Sequence, residues 1–139
     1  MTEILEILAV LVTGSLVGAE FCVAAFTNPV FAGLPDDAFR AARSDASRLL
    51  GRVMPFWYLG ALAALVFVTA VARSWLTGIA GVLMAAVVVL SVTMLVPINN
   101  RIGAGDFSRE LARRWDRLHW LRVALLAAIF VLLAAACFG

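Results

Sequence analysis

His119 is the sole histidine of the chain, with Trp115 four residues before it and Arg122 three after it. On a helix those three side chains share one face. An imidazole exchanges protons near neutral pH and is the natural general base. A guanidinium is an always-charged donor, suited to an anion or an enolate oxygen. Glu20 lies inside a long apolar run, ~12 Å before Asn28 if the run is helical. Unpaired, it would be neutral; paired with Arg122 or His119, it would stay charged. Catalytic candidates are therefore His119, Arg122 and Glu20. Asn99 and Asn100 after Pro97, with Trp57, Tyr58, Trp115 and Asn28, are candidates for binding a flat ligand.

Each residue also has a plainer role. Tryptophan and tyrosine collect at membrane interfaces, and arginine snorkels there. Asparagine closes helices. The argument for a site is convergence, since all these residues fall near the same end of four apolar stretches. Ionisable groups inside hydrocarbon are costly, which makes such a cluster a functional candidate.

The elements that must position them are membrane spans. The chain has 139 residues, 64% hydrophobic and 14% charged, with a mean hydropathy of +1.02. Soluble domains are nearer 45–50% apolar and ~25% charged. A helix needs roughly 20 apolar residues to cross the bilayer core. Spans are expected at about 4–28, 53–72, 76–97 and 119–138, with loops 29–52 and 98–118, in a single membrane domain of residues 1–139. The fold class is all-α: an integral membrane four-helix transmembrane bundle with an amphipathic cytoplasmic helix between spans one and two.

Ten of the eleven arginines fall in the two long loops or at the start of span four; only Arg73 does not. Positive charge marks the cytoplasmic side. The expectation is a multi-pass protein of the inner (plasma) membrane, with both termini outside and the basic loops cytoplasmic. No basic stretch precedes the first span, so no cleaved signal peptide is expected. The loops mix arginine with Asp36, Asp37, Asp45, Glu110 and Asp116. Lipid headgroups account for them, and no nucleic-acid partner is expected. Cys22 and Cys137 read as packing residues. One histidine and two distant cysteines make no standard zinc site, so no metal is expected.

Pro29 is read as closing span one and Pro97 as closing span three. Asp36 or Asp37 should cap the loop helix, in which Phe39, Ala42, Ala46, Leu49 and Leu50 recur at helical spacing. That helix is expected to roof a pocket opening toward the cytoplasm. Asp106 should cap a helix running from Phe107 into span four. Gly14 with Gly18, Gly60 with Ala64, and Gly81 with Ala85 are small pairs that permit close helix approach and imply no more than packing; a homo-oligomer is a separate expectation, beside the lipid bilayer as partner.

Gly18-Ala19-Glu20-Phe21 leading to Asn28-Pro29, then Pro97-Ile98-Asn99-Asn100-Arg101, then Trp115-Asp116-Arg117-Leu118-His119-Trp120-Leu121-Arg122 resemble the anthrone oxygenase-like family of small four-span membrane proteins. The resemblance implies four transmembrane helices. It also implies oxidation of a lipophilic aromatic, an anthrone, to a quinone by dioxygen with no added cofactor. His119 would then be the base, Arg122 and Asn99 the oxyanion donors, and Trp115, Trp57 and Tyr58 the walls around the rings, with Glu20 orienting His119 or accepting a proton.

Two other classes fit the same residues. One is a non-catalytic membrane protein that binds a lipid, a quinone or a partner protein. The other is a small proton-coupled transporter using Glu20. The long loops and the displacement of the polar cluster from the midplane speak against transport.

Overall fold

The structure is a computed structural model that describes residues 2–106 and 108–139. Four helices carry it: α1 (Thr2–Ala32), α2 (Asp36–Ala72), α3 (Trp75–Gly103) and α4 (Arg109–Phe138). No strand occurs among the described residues. Each helix packs on two neighbours, α1 on α2 and α4, and α3 on the same pair. The bundle is therefore an up-and-down square.

All four helices are long and apolar enough to cross a membrane, and in the most hydrophobic stretch of each only 22–28% of residues are buried. Side chains such as Leu11, Phe67, Val82 and Val131 face outward. A water-soluble bundle would place polar residues there. The chain is a multi-pass membrane protein.

Two prolines expected to end helices do not. Pro29 and Pro97 each follow a wide π turn, Val23–Thr27 in α1 and Ser91–Leu95 in α3. In each turn a backbone N–H reaches five residues back, Asn28 to Val23 and Val96 to Ser91. A proline has no N–H and its ring crowds the preceding turn. One widened turn absorbs that conflict, so both helices continue past the proline.

The amphipathic segment is helical, but it is not a separate element. It runs without a break through Pro55 into span two, giving a helix of 37 residues. Its expected cap is also displaced. Asp36 is already the first helical residue and Pro35 occupies the cap position, with no capping side chain. Asp36 instead pairs with Arg109 at 2.8 Å. At the start of α4, Ser108 is the cap and accepts from the Leu111 N–H at 3.1 Å. Asp106 pairs with Arg101 at 3.0 Å; the start expected at Phe107 lies outside the described residues.

The main core stacks Leu16, Leu65, Met84, Leu126, Ile129 and Leu133 in the half of the bundle remote from the arginines. A smaller core of Leu95, Ile98, Ile102 and Trp115 fills the arginine-rich end. The polar residues lie between them. Gly14 marks a close helix approach, because a Cβ there would stand 2.9 Å from the Phe130 ring. Gly18 and Gly60 have open space in front of them and need no such explanation.

Candidate functional site

Glu20 is the hub of the buried polar residues and is only 2% exposed. Its carboxylate accepts from the Tyr58 hydroxyl at 2.7 Å and from Arg122 Nη2 at 2.8 Å. Arg122 also donates through Nη1 to Ser91 Oγ at 3.3 Å. Ser91 in turn donates to the Val87 carbonyl at 2.8 Å. One acid on α1 thus gathers a phenol from α2, a hydroxyl from α3 and a guanidinium from α4.

His119 completes the cluster and is 1% exposed. Its Nε2 lies 3.0 Å from the Glu20 backbone oxygen. A carbonyl can only accept, so Nε2 carries the hydrogen. In the neutral ring Nδ1 is then the lone-pair atom. It faces Arg122 Nη2 at 3.0 Å and Glu20 Oε2 at 3.1 Å. Arg122 Nη2 has two hydrogens, one for each of these acceptors. The pair formed by Nδ1 and the Glu20 carboxylate can take up one proton. Trp115 stacks on the imidazole with centroids 4.6 Å apart and planes 14° apart, which fixes the ring.

This cluster borders a cavity of about 320 Å³, at the small end of the ~300–1,000 Å³ typical of small-molecule sites. Glu20, Tyr58, Ser91, Trp115, His119 and Arg122 supply its polar wall, and apolar side chains of α2 and α3 supply most of the rest. Leu59 (58% exposed) and Val92 (61% exposed) stand at its rim and also face outward. The cavity therefore opens sideways between α2 and α3. This differs from the expected mouth at the end of the bundle under a roof helix. The segment read as a roof is a wall, contributing Leu50 and Gly51.

Asn99 and Asn100 both border the cavity. Asn99 Nδ2 donates to the Ser47 carbonyl at 2.9 Å and ties α3 to α2. Trp57 and Asn28 do not border it. The Trp57 indole N–H points to the Val12 carbonyl at 3.3 Å, so Trp57 is a helix-packing residue. Asn28 accepts from Arg43 Nη1 at 2.7 Å.

Arg43 is the residue that sequence reasoning missed. It is 4% exposed. It pairs with Asp116 at 2.9 Å and stands 5.2 Å from the Trp115 ring centroid. Its signal was present: Phe39, Arg43 and Ser47 follow at four-residue steps and are the buried face of that segment. Arg43→Met is expected to lower the melting temperature in detergent by several degrees, since Asp116 and Asn28 lose their partner. Asp116→Asn, which keeps an acceptor for Arg43, should cost less. Equal melting of wild type and Arg43→Met would show that the pair carries nothing.

Among the described residues no three His, Cys, Asp or Glu side chains come together as metal ligands. Comparison with curated proteins and with solved structures gave no match. The family model described as anthrone oxygenase matches residues 48–132. That stretch contains Tyr58, Asn99, Trp115, His119 and Arg122, while Glu20 and Asn28 precede it. It covers more than half of the sequence, and the chain belongs to the anthrone oxygenase family.

Proposed function

We propose that this protein is a membrane monooxygenase, oxidising a flat, lipophilic, anthrone-like aromatic with dioxygen and without a cofactor. The observation that carries this reading is the cluster of Glu20, Arg122, His119 and Tyr58 on the wall of a mostly apolar cavity. An acidic C–H beside a ketone needs a base, oxyanion donors and a dry pocket. The imidazole Nδ1 of His119, acting together with the carboxylate of Glu20, takes the proton. Arg122 supplies donors for the enolate oxygen: its Nε–H has no partner among the described residues, and the hydrogen bonds of its Nη1 and Nη2 hold the guanidinium in place.

The carbanion left behind gives one electron to dioxygen, producing a carbon radical and superoxide. These join in a C–O bond as a peroxide anion, which takes back the proton. Loss of water leaves a new ketone. A methylene and one dioxygen thus become a carbonyl and one water, and no outside reductant is used.

Arginine placement supports an inner (plasma) membrane location with the arginine-rich end in the cytoplasm and both termini outside. The sideways mouth suits a substrate dissolved in the bilayer. Leu59→Trp and Val92→Trp, singly or together, are expected to slow turnover in vesicles at least fivefold while leaving the melting temperature unchanged. In wild type the rate should follow the mole fraction of substrate in lipid, not its total concentration. A rate indifferent to added lipid, together with active plugged variants, would rule out the sideways route.

The direct test is oxygen uptake by the purified, detergent-solubilised protein with a simple anthrone, beside His119→Ala. Uptake above the spontaneous rate in wild type and its loss in the variant support the reading. A folded wild type that consumes no oxygen overturns it for anthrones. Binding without turnover would then favour a lipid- or quinone-binding protein.

A further inference from the structure

Trp115 borders a second, smaller cavity of about 20 Å³, which Val23, Leu50 and Asn99 also share with the main one. Asn28 and Arg43 complete its polar side. Two donors on residues that line it have no acceptor among the described residues: Asn28 Nδ2 and Trp115 Nε1. Both residues are more than nine-tenths buried. A buried N–H without an acceptor is costly, and native proteins rarely keep one without a reason. Two of them around one small void, beside a guanidinium, point to a ligand. The Asn28 carbonyl oxygen is already engaged by Arg43, so the amide offers its N–H groups.

The void sets the size of that ligand. One water needs roughly 10–15 Å³ of such space, so there is room for a molecule of one or two heavy atoms. The donors set its chemistry, because they favour an electron-rich acceptor, above all an anion. We propose that this cavity is a second binding site, for dioxygen and the superoxide formed from it, adjoining the aromatic site. The assignment rests on the oxygenase reading.

The physical gain is differential. Dioxygen is apolar and takes little from N–H donors. Superoxide carries a full charge and accepts strongly. Donors fixed in place before the reaction therefore favour the product of the electron transfer over its reactant. The electron comes from the substrate carbanion, and the superoxide is consumed in the C–O bond, so the step needs no other reagent. Asp116 balances the Arg43 charge, which lets the site stay buried before the anion forms.

The test varies oxygen at saturating aromatic substrate. Asn28→Asp keeps an oxygen for Arg43 but replaces the free donor with an acceptor that repels an anion. Its kcat/KM for oxygen is expected to fall at least tenfold, with the KM for the aromatic unchanged. Trp115→Phe keeps a ring against His119 and deletes the other donor; its kcat/KM for oxygen should fall as well. Cyanide, an anion of two heavy atoms, serves as the probe in substrate-free protein, read by its infrared stretch. A bound band in wild type, weakened in both variants, is expected.

Unchanged oxygen dependence in both variants would overturn the proposal. So would the absence of a bound cyanide band in wild type, which would mean that the cavity takes only water. A bound cyanide band with no oxygen uptake on any aromatic would overturn dioxygen as the ligand. The oxygenase reading would then fall separately, leaving a small-anion site.

Discussion

Glu20→Leu is expected to abolish turnover and to destabilise the fold by about 3–5 kcal/mol, the usual result of removing one partner from a buried ion pair. The leucine leaves Arg122 charged, almost fully buried and without a counter-ion. It also strips the Tyr58 hydroxyl of its acceptor. A double variant combining Glu20→Leu with Arg122→Leu removes both charges and should recover much of the lost stability without recovering activity. Thermal melting in detergent checks the first part and oxygen uptake the second. If Glu20→Leu melts with wild type, the carboxylate is not a charged partner of Arg122. If the double variant turns over, neither residue belongs to the machinery.

His119→Gln is expected to lower kcat by roughly 10²–10⁴-fold, the span that a positioned base contributes, while the fold persists. Glutamine can still donate to the Glu20 carbonyl and accept from Arg122. It cannot take up a proton at neutral pH. The substitution therefore separates the structural role of the imidazole from its acid–base role. His119→Ala removes both, and with them the stacking partner of Trp115, so it should also lower the melting temperature. A Gln variant as active as wild type would move the base to the Glu20 carboxylate alone. A Gln variant that fails to fold would show that the ring's packing against Trp115 outweighs its hydrogen bonds.

Much of this was legible in the sequence because hydrocarbon imposes few options. Four apolar runs of sufficient length must be helices when they cross a bilayer, and all four are present. The cluster was legible for a related reason. Polar residues in such spans are rare and must find partners inside. Glu20, Tyr58, His119 and Arg122, on three different helices, meet in one network.

What the sequence could not settle is which apolar face turns inward. In water, a helix shows its buried face by contrast with a polar one. In lipid the outer face is as apolar as the inner one, so the contrast disappears. Leu16 is fully buried and Leu11 mostly exposed, yet they are the same residue type in the same run. Trp57 illustrates the same ambiguity, since a tryptophan at the start of a span looks identical whether it lines a pocket or packs on a neighbour. The two π turns were hidden because proline announces a conflict with the helix and leaves its resolution open.

Arg43 was hidden for the opposite reason. A charged residue on an amphipathic helix is read as facing outward. It turns inward because Asn28 on α1 and Asp116 on α4 converge on it. Composition and hydropathy thus determined the spans and the residues able to do chemistry. Tertiary structure alone decided the sideways mouth, the tautomer of His119 and the small second cavity. These depend on distances between helices, which no local pattern encodes.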